Sequence, residues 1–165
     1  MPSPPLATAA PDLKLQMVSD PVYLSGAREM VASVSRRLGF SEEACGQIAL
    51  AVDEALCNVI RHGYERRRDG PIWLSLWPLA GENGHAGGIR IVVEDEARQV
   101  DPAQIKSRDL DEIRPGGLGV HIIRQVMDEV SFEKREKAGM RLTLVKRRPK
   151  DGEAECCAAP KTGGV

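Results

Sequence analysis

The sequence predicts an α+β domain, a two-layer sandwich with helices laid on one face of a mostly antiparallel sheet. Apolar residues recur at helical spacing over two early segments and again late in the chain, and four β-rich runs fall into two pairs, each joined by a glycine-bearing turn. The chain has 165 residues, 42% hydrophobic and 28% charged, which suits one core and is too short for two ordinary ones. The pattern reads β α α β β (α) α β β, the order of a helix layer on a sheet.

Leu13, Leu15 and Met17 alternate with polar neighbours and predict the first strand. From about Val22 to Leu38, the positions Met30, Val31, Val34 and Leu38 predict a helix, which Gly39 ends. Ser41 is placed to cap a second helix, with Glu42 and Glu43 in its first turn, running to about His62 before Gly63 stops it. Pro71 opens a strand over Ile72 to Trp77, GENGHAGG is the hairpin connection, and IRIVV returns as Ile89 to Val93. An acidic loop and a short helix from Pro102 lead to a third helix headed by Gly116, Gly117 and Gly119. VSFEKRE and MRLTLVKRR then form a last hairpin, turned near Ala138 and Gly139. The folded domain is expected over residues 12–148. Residues 1–11, rich in Pro, Ala and Ser, and residues 149–165, small and polar, are expected to be disordered tails.

A formal net charge of -1 gives no electrostatic basis for direct nucleic-acid binding. No apolar run approaches the roughly 20 residues that cross a bilayer, and MPSPPLATAAPDLK lacks the features of a signal peptide, so a cytoplasmic protein without a membrane partner is expected. Cys45 and Cys57 fall in helical patterns and Cys156 and Cys157 are adjacent in the polar tail; no zinc-like spacing exists, and reduced thiols are expected.

Three stretches could carry chemistry. In EALCN, Ile48, Val52, Ala55 and Val59 form the core stripe of the second helix, and Glu54 and Asn58 share a flank about 100° away. At a phosphate, the Asn58 amide oxygen could ligate Mg²⁺ while the Glu54 carboxylate orients or deprotonates a hydroxyl. In VVEDEARQVDP a β-branched strand ends on acidic residues and puts Asp95 at the mouth of the sheet, where it could accept from an exocyclic amine such as adenine's. In PGGLG the glycines let backbone approach a phosphate held by the free N–H groups of a helix start. Taken singly, each is equally a solvated i, i+4 pair, a charged loop or an ordinary glycine loop.

In this order, the three stretches resemble the N box and the two Gly boxes of the Bergerat-fold, histidine-kinase-like ATPase superfamily. AVDEALCNVIRHGY and GGLGVHIIRQVMDEV are most similar to the anti-sigma-factor serine/threonine kinases within it, and the likeness spans about Leu13 to Lys146. The resemblance implies a Bergerat-type sandwich that binds ATP and Mg²⁺, forms a homodimer, binds a sigma factor, and phosphorylates a serine of a STAS-type anti-anti-sigma protein. It makes Glu54 the catalytic base, Asn58 the Mg²⁺ ligand, Asp95 the reader of adenine with Ala97 beside it, and Gly116, Gly117, Leu118, Gly119 and Val120 the phosphate cradle. Arg61 and His62 would border the site, and His62 is equally placed to cap the helix end.

The chain departs from the family pattern in three places. Ala97 stands where the first Gly box has glycine, so a methyl would interfere if that backbone took a positive φ or had to approach adenine. Met140 follows Gly139 where a threonine is usual. Arg114, the nearest candidate for the arginine that stabilises the γ-phosphate, is displaced by Pro115 and an extra glycine. The span from Asp101 to Gly116 would be the ATP lid; at about fifteen residues it is short enough to leave phosphates within reach of a protein substrate. A phosphoacceptor-histidine helix has no room in the chain, which favours a serine kinase. The alternative, motivated by Ala97 and Met140, is a nucleotide-responsive module that sequesters a sigma factor or STAS partner without kinase activity. A phosphatase-activating subunit fits the same fold.

Overall fold

The computed structural model describes residues 10–81, 84–105 and 118–149. Within them the expected order holds. Strand β1 (Leu13–Val18) leads to helices α1 (Leu24–Arg37) and α2 (Glu42–Asn58), the hairpin β2 (Pro71–Ala80) and β3 (Ala86–Asp95), helix α3 (Leu118–Val126), and the hairpin β4 (Glu129–Lys134) and β5 (Met140–Arg147). The sheet runs β1-β2-β3-β5-β4 with every neighbouring pair antiparallel.

Alternation assigns one face of the sheet to the core. Ile72, Leu74 and Leu76 on β2, Ile89, Ile91 and Val93 on β3, and Leu142 and Leu144 on β5 are buried with Val31 of α1, with Ile48, Val52, Ala55 and Leu56 of α2, and with Ile123 of α3. Burying a side chain of the Ile48 or Leu74 kind stabilises by about 1.5–3 kcal/mol, and these positions interlock all three helices with the central strands.

The helix boundaries differ from the sequence expectation in two places. The segment predicted as one helix from Val22 begins as a 3-10 turn over Pro21–Tyr23, because Asp20 caps the Val22 amide at 3.0 Å and Pro21 supplies the fixed φ of a first turn. Its far end matches the expectation: Gly39 donates to the Arg36 carbonyl and Phe40 to that of Ser35, the paired bonds of a Schellman end. Ser41 then caps α2, its Oγ accepting from the Ala44 amide at 3.2 Å. The larger difference is at the end of α2. The α-helix stops at Asn58 and the chain continues as a π-helical turn, Val59–Gly63, in which Tyr64 donates to the Val59 carbonyl at 2.8 Å. Beyond it Glu65 and Arg66 take left-handed backbone, with φ of 51 and 67.

Strands β2 and β3 outrun their apolar patterns. Pairing continues through Pro78, Leu79 and Ala80 and takes in Ala86, Gly87 and Gly88, because the backbone ladder persists where side chains no longer have a core to enter. The expected short helix at Pro102 is a single 3-10 turn, Pro102–Gln104, capped by Asp101.

The turn between β4 and β5 depends on one glycine. Gly139 has a φ of 81, and a Cβ there would drive into the carbonyl of Asp95. Gly139→Ala is therefore expected to cost at least about 2 kcal/mol. Urea unfolding should read it as a lower midpoint at unchanged slope.

Candidate functional site

Helix α2 is buried along Ile48, Val52, Ala55 and Leu56, while Glu54 and Asn58 are half-buried on its flank, one turn apart as the spacing predicts. The first turn of α3 stands against that flank. A Cβ built on Gly119 would lie 2.6 Å from Glu54 Oε2 and 3.4 Å from Asn58 Nδ2. Any side chain at 119 would thus displace the carboxylate, and hydrogen alone leaves the backbone of α3 open to the cleft. Leu118 is 62% exposed and Val120 half-buried on the same turn. In general, the N–H groups of a helix's first turn have no partner within the helix and carry the positive end of its dipole.

At the end of β3, Asp95 is 3% exposed. Its Oδ1 accepts from the amides of Ala97 at 2.8 Å and Met140 at 3.3 Å. Burial pushes the Asp95 carboxyl above the ordinary carboxylate range, an effect that these two amides and the nearby Arg135 guanidinium oppose. Its second oxygen has no hydrogen bond among the described residues and is available to a donor.

Four residues outside the predicted site set shape this end. Arg135 donates to the Asp95 carbonyl at 2.5 Å, pairs with Glu94 at 3.6 Å and lies 5.2 Å from the centre of the Trp73 ring. Gln99 donates to the carbonyls of Arg135 at 2.6 Å and Gly139 at 3.3 Å. The Tyr64 hydroxyl donates to the Pro71 carbonyl at 2.6 Å and accepts from the Glu96 amide at 2.9 Å. Gly63 faces the methyl of Ala97. Only Tyr64 and Gly63 had a visible signal, as the end of the HGY stretch. The contacts of Arg135 and Gln99 join residues about 40 apart in sequence, beyond any local pattern.

The expected interference at Ala97 does not arise from its backbone. Among the described residues, only Glu65 and Arg66 have positive φ without being glycine, so Ala97 is in ordinary backbone, its methyl 8% exposed within the core cluster. At Met140 it is the main-chain N–H that serves Asp95. Arg61 and His62 are exposed on the π-helical turn, and among the described residues neither has a hydrogen bond or ion pair to Glu54 or Asn58. Arg114, Gly116 and Gly117, most of the expected lid, and Cys156 and Cys157 lie outside the described residues.

No helix of the described residues is long and apolar enough to cross a membrane, and no cluster of three His, Cys, Asp or Glu side chains among them could by itself hold a metal ion. A cation at Asn58 would have to share its ligands with a bound anion. The chemistry present fits Mg²⁺ held that way: an amide, a nearby carboxylate, and a helix turn with no side chain at residue 119.

Comparison with known proteins agrees with the fold. The model of the histidine kinase-like ATPase domain matches residues 17–146. The serine-protein kinase RsbW of Listeria innocua is 28% identical over 134 residues, covering 77% of this chain and 82% of its own, and the RsbW of Bacillus subtilis is 24% identical over 130 residues, covering 73% and 77%. A crystal structure of the RsbU and RsbW domains of a Mycobacterium tuberculosis protein superposes with a TM-score of 0.53 at 16% identity, over 82% of this chain and 31% of that longer one, a likeness of fold. With the family match running from β1 to β5 and the fold superposing, the chain belongs to the histidine kinase-like ATPase domain family.

Proposed function

We propose that this chain is an ATP-dependent serine/threonine protein kinase that doubles as an anti-sigma factor, phosphorylating a STAS-type anti-anti-sigma protein and acting as a homodimer. The observation that supports the reading is the convergence of Glu54, Asn58 and Gly119 within a few ångströms, groups whose chemistry suits a base, a hard-cation ligand and a phosphate seat. The RsbW relatives, named as serine-protein kinases, support the choice of acceptor.

In this reading the free oxygen of Asp95 accepts the adenine amine. The amides of Leu118, Gly119 and Val120 receive the phosphates, with Gly116 and Gly117 preceding them. Asn58 holds Mg²⁺ by its amide oxygen, sharing the ion with phosphate. Bound there, Mg-ATP supplies the phosphoryl group, with the cation offsetting charge on the phosphate oxygens. Glu54 takes the proton from the attacking serine hydroxyl, and Arg114 is the candidate for the γ-phosphate. The direct test is incubation with Mg-ATP and a STAS protein encoded beside it. ATP binding without serine phosphate would leave a nucleotide-responsive binding module.

Glu54→Gln keeps the side chain's size and loses its basicity. Phosphoryl transfer should fall by at least about 100-fold, while calorimetry should find Mg-ATP and partner binding unchanged.

The Asp95 carboxyl gives a pH dependence with a definite sign. Its folded pKa lies above the unfolded value, so the folded state gives up this proton later as pH rises, and ionising Asp95 lowers stability across that window. An amine donor binds the ionised form. Mg-ATP affinity should therefore strengthen as pH rises through the raised pKa. In Asp95→Asn binding should be weaker and that component of the pH profile absent, as calorimetry over a pH series would measure.

A further inference from the structure

Two consecutive residues at the end of the π-helical turn, Gly63 and its C-cap Tyr64, meet two consecutive residues of the loop after β3. Tyr64 and Glu96 are joined by the hydroxyl-to-amide bond of 2.9 Å. One residue earlier on the turn and one later on the loop, Gly63 and Ala97 stand face to face, and a Cβ built on Gly63 would lie 3.0 Å from that of Ala97. Carbon atoms in favourable contact sit about 3.5–4.0 Å apart, so there is room here for one methyl and not for two.

Neither side is free to retreat. The Ala97 amide is tied to Asp95 Oδ1 at 2.8 Å, and the Glu96 amide to Tyr64. On the other side the Tyr64 amide closes the π-helical turn on the Val59 carbonyl at 2.8 Å, and the Tyr64 hydroxyl is held by the Pro71 carbonyl. Displacing Ala97 would therefore move its amide off Asp95. The turn that carries Gly63 begins directly after Asn58, so this contact joins the two halves of the candidate site.

We infer that Gly63 and Ala97 form a one-methyl spacer that fixes the distance between the Asp95 carboxylate and the Glu54–Asn58 edge, which makes Gly63 a positioning residue for nucleotide recognition. The inference rests on the nucleotide reading above. Ala97, where the resemblance implies glycine, supplies the one methyl, and Gly63 opposite it supplies none. The spacer touches neither Glu54 nor Gly119, so it governs how the base end of a nucleotide is seated and leaves the transfer step alone.

A double-mutant cycle with Gly63→Ala, Ala97→Gly and the combined variant tests this, with Mg-ATP affinity by calorimetry, KM and kcat for transfer to the STAS protein, and thermal unfolding as readouts. Gly63→Ala is expected to weaken Mg-ATP binding and raise its KM by about tenfold, with kcat within about twofold. The combined variant, which moves the methyl to the other side, should return within about threefold of the native affinity. If Gly63→Ala does not fold, the combined variant carries the test. Native-like affinity in Gly63→Ala, a loss confined to kcat, or a folded combined variant more than about tenfold weaker than native overturns the spacer. Failure of the native protein to bind Mg-ATP overturns the nucleotide reading itself and the inference with it, whereas native binding with an uncoupled pair overturns the inference alone.

Discussion

A carboxyl group buried at the end of a central strand has to be satisfied by whatever surrounds it, and around Asp95 that requirement gathers three separate parts of the chain. Its side chain takes the amides of Ala97 and Met140, and its carbonyl takes Arg135. The β4–β5 turn comes close enough that only glycine fits at 139. Taking a carboxylate out of water without partners costs several kcal/mol. Two neutral amides and one offset guanidinium offset that cost in part, which is why burial still dominates and the carboxyl holds its proton more tightly than usual. A group in this condition gains more from one further donor than a solvated carboxylate does.

The opposite side of the site is stiff for a different reason. Helix α2 lies in the helix layer with seven buried residues, four of them alanine or cysteine, which lets its neighbours approach closely. Glu54 and Asn58 project from the flank of an element that is itself anchored, and α3 can come up against them because residue 119 has no side chain. One edge is thus set by apolar packing, the other by a polar network, and the Tyr64 hydroxyl ties the two together.

Much of this was legible in the sequence because it is periodic. The three helices, the two hairpins and the shared flank of Glu54 and Asn58 all follow from spacing, as does the Ser41 cap. The lengths of β2 and β3 were not, since apolar alternation ends where the core ends and backbone pairing does not. The π-helical turn was invisible for a related reason: Val59 and Ile60 continue a helical pattern, and nothing in the residue types announces a wider turn. Arg135 and Gln99 could not be found, because what they bond to is main chain brought close only by the order of strands in the sheet. At Ala97 the sequence raised a backbone objection that the absence of a positive φ removes, while the residue its methyl faces, Gly63, lies 34 positions earlier along the chain and could not be read from local pattern.

The π-helical turn has a consequence for how the chain can vary. A π turn carries one residue more than the α turn it interrupts. Removing a residue between Val59 and Gly63 would let α2 run on smoothly, a change that helix propensity alone would welcome. It would also rotate everything after it by about 100° around the helix axis, carrying the Tyr64 hydroxyl away from both Pro71 and Glu96. The residue count of this segment is therefore set by the loop it must reach and not by the helix it belongs to. Substitutions at the exposed Arg61 and His62 are open to trial, while single-residue deletions are closed.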